Sequence, residues 1–308
     1  MSASAIHFPL CVFPFLGELS ALLTAILWSG SAMVFGVATL RLGSVLVNVA
    51  RLVLAAVYLG LLIAVTGLDV HLTLPQYGNL ALSGIIGLAL GDTFLFKAFQ
   101  EIGVRVSMLI MSLAPAVAGL LAYLFLGETL TIAGVMGIVL TIGGVSAVVL
   151  ERNEGGAGRF PVTLLGVAYG FLGAAGQGVG LVFAKKAFME GELNGFVAAA
   201  VRIGASLLLL LPAAFLAKRI PSSPGSIMRD RKAFLCLVAG SVLGPFLGIS
   251  FSLIAVEYAK VGIAATLMAT VPIIMLPLAR FVSKELLSWK AVAGAFIAVA
   301  GVALLFLK

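Results

Sequence analysis

The sequence predicts an all-α integral membrane protein with ten transmembrane helices, arranged as two inverted five-helix repeats. Three observations lead there. Hydrophobic residues make up 62% of the 308 and charged residues only 10%, against about 25% charged in an ordinary soluble domain. Ten apolar runs of near-membrane length recur at short intervals. The second half of the chain repeats the first.

So little polar surface cannot cover a water-soluble globule, so lipid must be the solvent for most of the outside. The net charge is +7, but the basic residues are scattered singly or in short loop clusters. No basic face interleaved with aromatics exists, which argues against a nucleic-acid partner. The charges are better placed as anchors at the membrane surface. Cys11 and Cys236 are too few for a disulfide framework or a zinc site, and His7 and His71 fall in terminal and loop segments. No metal and no cofactor is expected. No basic stretch precedes the first apolar run, so the first helix is expected to stay rather than be cleaved as a signal peptide.

Runs of about 20 apolar residues span the hydrocarbon layer. The predicted spans lie near 19–39, 45–67, 79–99, 104–125 and 132–150, then near 162–184, 194–217, 233–256, 262–283 and 289–307. They are long, continuous and rich in Leu, Ala and Gly. Barrel strands would instead alternate over about ten residues. The stretch ERNEGGAGRF, from Glu151 to Phe160, is predicted as an exposed linker. The chain thus divides into residues 1–151, a linker at 152–160, and residues 161–308.

Sliding the chain by 157 residues aligns 90–151 on 247–308 without a gap, and 16 of the 62 positions are identical. This is an internal repeat. Pro115 matches Pro272, Glu128 matches Glu285, and Gly144-Val145 matches Gly301-Val302. A shift of 151 superposes Arg51 on Arg202. Because five is odd, the second copy must start from the opposite side of the membrane. Inverted halves suit alternating access, with a substrate site near the midplane between them.

Charges inside spans point to function most directly, because each costs about 2.5–3.5 kcal/mol at a helix centre and should face a cavity or a partner. Arg51 and Arg202 lie about two turns into the second and seventh helices. Asp92, with Thr93 beside it, lies near the middle of the third, and its repeat mate is Ile249. Two readings are open for Asp92. It takes up a coupling proton or a cationic substrate group, or it forms a buried ion pair with Arg51 or Arg202. Ser83, Gly87 and Gly91 stand four apart, as do Gly240, Gly244 and Gly248. That spacing puts each set on one helix face, either for close packing or as the wall of a vestibule. Pro115 and Pro272 each remove a backbone hydrogen bond inside an apolar helix and should kink it. Glu128 and Glu285 are expected to complement helix N-termini. Lys97 and Glu101, four apart, are expected to pair at the membrane interface.

The segments LGDTFLFKAF (90–99), SLAPAVAGLLAYLFLGETL (112–130) and GVMGIVLTIGGV (134–145) resemble the drug/metabolite transporter superfamily, specifically its EamA-type domain. ATVPIIMLPLARFVSKELL (269–287) and GAFIAVAGV (294–302) repeat the pattern more loosely, and the opening AILWSG around Trp28 is similar to the family's first helix. The resemblance covers nearly the whole chain. It implies a ten-helix secondary carrier in the cytoplasmic membrane that moves small metabolites, amino acids or drugs, often outward, through a cavity between the halves. The family has no universal catalytic residue set, so the resemblance assigns no role to Asp92 or either arginine.

Of the 19 Lys and Arg, thirteen fall in loops or helix ends on the side opposite the termini and four on the termini's side. The positive-inside rule then puts both termini outside the cytoplasm, whereas the resemblance implies both inside. The expected function is secondary transport of a small metabolite, outward, with amino acids and related compounds ahead of drugs. The two arginines suit a carboxylate-bearing substrate. The expected partners are that substrate and the lipid bilayer, with the protein a monomer or homodimer. The competing classes are a channel, a non-transporting scaffold and, least favoured, a membrane-embedded enzyme. No span contains a histidine or a carboxylate pair at helical spacing.

Overall fold

The computed structural model describes residues 15–126, 131–153, 161–219, 228–259, 261–281 and 288–306. All regular structure among them is helical. The first five helices are α1 (Leu16–Leu42), α2 (Ser44–Thr66), α3 (Leu74–Ile102), α4 (Val104–Phe125) and α5 (Ile132–Asn153). The next five are α6 (Leu164–Met189), α7 (Gly195–Leu216), α8 (Arg231–Tyr258), α9 in two pieces (Val261–Met268 and Val271–Phe281) and α10 (Trp289–Phe306).

Local chemistry sets these boundaries. Thr73 and Gln76 form a capping box at the start of α3, with the Thr73 amide donating to Gln76 Oε1 at 2.9 Å. Thr163 caps α6, Asn194 caps α7 and Asp230 caps α8. The α1–α2 and α3–α4 reversals turn on single glycines, Gly43 at φ 90 and Gly103 at φ 78. Only glycine adopts such values without strain, so both connections are as short as they can be.

Among the described residues, eight helices are long and apolar enough to cross a membrane, and Thr266–Phe281 and Trp289–Leu305 are shorter apolar helices. The outward surface is apolar along the spans, with Leu208, Phe215, Ile132 and Leu164 all exposed. In water such a surface would drive aggregation, whereas in lipid it is the expected exterior. The chain is a multi-pass membrane protein.

Two features of the spans depart from a uniform α-helix. Residues Ile85–Gly91 of α3 and Val242–Gly248 of α8 are wound as π-helix. Helices α4 and α9 are broken at residues 112–113 and 269–270. Each feature recurs at the same 157-residue offset that the sequence repeat shows.

Helix α1 packs on α8 and α9, and α6 packs on α3 and α4. Helix α2 pairs with α7, and α5 pairs with α10. Each half therefore inserts its first helix into the other half. The α3–α6 contact is backbone to backbone: a Cβ on Gly176 would lie 2.8 Å from Gly91 Cα. Ser83 Oγ donates to the Gly180 carbonyl at 2.6 Å. Helices α5 and α10 meet in the same way, since a Cβ on Gly137 would lie 2.4 Å from the Leu305 amide nitrogen. In lipid, where helices gain little from hiding apolar surface from one another, such close approach is what holds them together.

One expected pair is corrected. Lys97 does not join Glu101; its Nζ lies over the stacked rings of Phe94 and Tyr169, 5.5 and 5.2 Å from their centroids. A ring pair offers the ammonium a favourable face where the helix leaves the apolar layer. Glu101 faces Thr163 Oγ1 instead. Glu128, Glu285 and residues 154–160 of the expected linker lie outside the described residues.

Candidate functional site

A central cavity lies where α1, α2, α3, α4, α6, α7, α8 and α9 meet. Its empty volume is about 1130 Å³, counting the part open to the outside. Both halves of the chain contribute to its wall. Trp28, Phe35, Leu95, Phe99, Met108 and Met268 make most of it apolar. Its charged residues are Arg51, Asp92 and Arg202, the three intramembrane charges that the sequence singles out.

Arg51 and Asp92 form one buried network. Arg51 is 5% exposed and Asp92 4%. Arg51 Nη2 donates to Asp92 Oδ2, and Arg51 Nε donates to Asn48 Oδ1 at 2.9 Å. Gln177 Nε2 donates to the second oxygen, Asp92 Oδ1, at 2.8 Å. The guanidinium also stands over the Phe96 ring, 4.8 Å from its centroid, with Phe35 at 5.7 Å. Both carboxylate oxygens therefore have donors and the cation has two aromatic faces, which offsets the removal of both charges from water. Thr93 does not line the cavity. Its hydroxyl donates to the Ala89 carbonyl at 2.6 Å and accepts from Asn48 Nδ2 at 2.8 Å, so it supports the network from behind.

The π-helical stretch of α3 positions this network. Asp92 follows it directly, and the Asp92 amide bonds to the Gly87 carbonyl five residues back. The wide turn re-phases the helix at the point where Leu88 faces the cavity. The Leu88 and Ala89 carbonyls accept from Asn48 Nδ2 at 3.0 and 3.3 Å. Single π turns inside α-helices frequently mark functional sites.

Arg202 is different. It is 3% exposed and lines the same cavity. Among the described residues it forms no ion pair, and its buried Nε has no hydrogen-bond partner. Asp92 acts on it only through space. Its backbone is pressed against α3, where a Cβ on Gly84 would lie 2.1 Å from the Arg202 carbonyl oxygen. A Cβ on Gly87 would stand 3.6 Å from Arg202 Nη2, so the guanidinium reaches toward the bare face of α3.

The glycine stripes are mainly packing surfaces. Gly91 faces the backbone of α6 at Gly173 and Gln177, and Gly87 faces the Gln177 and Arg202 side chains. Gly248 is closed by Trp28 and Gly240 by Phe35, with added Cβ atoms only 2.6 Å away in each case. Gly244 also touches Phe35 and is the one stripe glycine that lines the cavity. Pro115 and Pro272 both line it, each one residue into the helical piece that follows a break. At those breaks the chain turns through tighter bonds three residues apart, from Leu113 N to the Ile110 carbonyl and from Thr270 N to the Leu267 carbonyl.

Asn48 and Gln177 complete the network and stand out little in the sequence. Both are uncharged polar residues within apolar runs, and that was the available signal. Asn48 also stands three residues before Arg51, on the same helix face. Among the described residues, no group of three or more His, Cys, Asp or Glu could hold a metal ion.

Comparison with known proteins gives the wider placement. No curated protein matches the chain. A crystal structure of a protein at 22% sequence identity superposes with a TM-score of 0.67, over 94% of this chain and 95% of its own. That likeness is one of fold. The model of the EamA-like transporter family matches residues 15–150 and again 164–307. The family is one of transporters rather than enzymes. With nearly all of its length matched in two stretches, the chain belongs to the EamA-like transporter family.

Proposed function

We propose that the protein is a secondary carrier that moves a small amphipathic metabolite, an amino acid or a related compound, out across the cytoplasmic membrane by alternating access. The observation that carries this is the central cavity, walled by both halves and holding three charges in an otherwise apolar lining. Residues 1–151 and 161–308 are the two units, joined by residues 152–160, and they are inverted relative to each other. Support for inversion comes from the helix ends. Arg41 at the end of α1 bonds Asp230 at the start of α8, and Gly17 at the other end of α1 abuts Ala259 after α8. Likewise Gly166 at the start of α6 abuts Ile102 at the end of α3. With α1, α2 and α3 alternating in direction, those contacts support first and sixth helices that run opposite ways.

In this reading the breaks beside Pro115 and Pro272 are the hinges, and Asp92 is the coupling group. The cavity serines fit an amino acid substrate. Ser31, Ser112 and Ser252 spend their hydroxyl hydrogens on carbonyls of their own helices, so toward the cavity they offer acceptor lone pairs suited to an ammonium.

Counterflow in proteoliposomes tests the carrier reading. Vesicles loaded with an unlabelled amino acid mixture should transiently accumulate the labelled substrate above its outside concentration. Passive equilibration without overshoot would mean a channel, and no uptake over a broad metabolite panel would mean a scaffold. For coupling, D92N should flatten the pH dependence of transport; normal transport with an unchanged pH profile would remove Asp92 from that role.

A further inference from the structure

We propose that the Arg202 guanidinium is the anchor for a carboxylate on the transported molecule, so that the substrate class is amphipathic monocarboxylates. This rests on the carrier reading and specifies its site. The argument begins with the repeat. Arg51 and Arg202 are mates under the 151-residue shift, and Asp92 and Ile249 are mates under the 157-residue shift. Arg51 has two built partners, Asn48 and Asp92. At the corresponding places in the second half stand Ala199 and Ile249. Both are buried in one apolar cluster that also contains Leu88 and Ile203. The second half thus keeps the cation and replaces both of its partners with hydrocarbon.

A guanidinium removed from water requires an anion or a set of acceptors. Asp92 does not serve: its oxygens accept from Arg51 and Gln177, and no hydrogen bond or ion pair joins it to Arg202. The buried Nε of Arg202 has no partner. The missing anion therefore comes from outside the chain. A carboxylate fits best, since its two oxygens match the planar N–H fork of arginine. The charge balance agrees. Arg51 and Asp92 pair with each other, so Arg202 is the one uncompensated charge of the lining, which suits a single carboxylate, alone or on an amino acid, better than a phosphate dianion. The rest of the substrate then lies against Leu181, Trp28 and Met268.

The test uses the full-length protein in lipid nanodiscs, with thermal unfolding as the readout and matched probes. These are 4-methylpentanoate, its amide and 3-methylbutylamine, then 3-phenylpropionate and its amide. At least one acid should raise the unfolding temperature of the wild type, since binding to the native state stabilises by mass action, and its amide should not. In R202Q the affinity for the acid should fall about 10- to 100-fold, the scale of a lost charge-assisted bond, and R202K should be intermediate. The unliganded R202Q protein should unfold no earlier than wild type, because an unpaired buried charge has been removed. An arginine that only supported the fold would give the opposite shift. Equal binding of acids and amides, an acid response that survives in R202Q, or no response to either acid would overturn the proposal. If amines or amides are exchanged in counterflow independently of Arg202, the anchor is wrong and the carrier reading stands. If acids bind through Arg202 without counterflow, the anchor stands and the carrier reading fails.

Discussion

Arg51 and Asp92 lie side by side at membrane depth, and each sets the requirement for the other. Removing one leaves the other buried and uncompensated, which in proteins costs about 3–5 kcal/mol. R51L and D92L should each lower stability by about that much in nanodisc unfolding, while R51L/D92L should regain most of the loss, because two apolar side chains replace a pair whose desolvation was never free. Additive losses in the double variant would mean that the two side chains do not interact. Asn48 should behave as part of the same unit, so N48A should be worse in wild type than in the R51L/D92L background. At the helix end, Arg41 Nε donates to Asp230 Oδ2 at 2.5 Å. This donation, helped by the Ala233 amide, holds the Asp230 carboxyl below its usual range. A lowered native value means that the pair stabilises the fold above the unfolded carboxyl value of about 4 and loses that effect as the pH falls through the native value. D230N keeps an oxygen to cap α8. It should therefore unfold earlier than wild type at neutral pH and converge on it in acid, with the gap smaller in high salt because the pair is exposed.

Among the elements, α3 carries the most constraint. It meets α6 and α7 through positions with no side chain, so the room left for added atoms differs sharply along the chain. A Cβ on Gly84 would collide with the Arg202 backbone, whereas nothing lies within 4 Å of one on Gly60 or Gly143. G84A should destabilise the protein and displace the α7 backbone that holds Arg202, lowering transport as well. G60A and G143A should be neutral or stabilise by about 0.5–1 kcal/mol, the ordinary gain of alanine over glycine in a helix. Equal effects at Gly84 and Gly60 in an unfolding assay would contradict the packing described. The sequence made much of this legible. Stripes of small residues four apart marked the close-packed faces, and the prolines marked the broken helices. The π segments were not legible, because no residue type specifies a π turn. Packing of the bare face of α3 against α6, and of α8 against Trp28 and Phe35, accompanies it instead. Asn48 and Gln177 are hard to see in the sequence because a neutral amide barely lowers the hydropathy of a run of about 20 residues.

At the scale of the whole molecule, the repeat was legible as an offset, and the same offset reappears in two unusual backbone features. The asymmetry between halves was visible only in part. The sequence shows that Asp92 answers to Ile249, but the consequence for Arg202 depends on Asp92 being occupied by Arg51. Orientation is the property that the proposed inverted arrangement leaves free, since inverted halves would present nearly equivalent frameworks to the two sides. Charge then decides. With thirteen Lys and Arg on the side opposite the termini and four on the termini's side, the positive-inside rule puts the former in the cytoplasm. His71, in the α2–α3 connection, and Arg229, just before α8, are exposed and lie on opposite sides. In a background with Cys11 and Cys236 replaced by serine, H71C should react with an impermeant maleimide added to intact cells, and R229C should react only after lysis. The reverse pattern would place both termini in the cytoplasm, as the family resemblance implies, and would show that features other than loop charge set the topology. Neutralising the α7–α8 basic cluster of Arg229, Arg231 and Lys232 separates the two causes. If charge is decisive, that change should yield a mixed population in which both sites label in part. If it is not, the labelling should stay as it was.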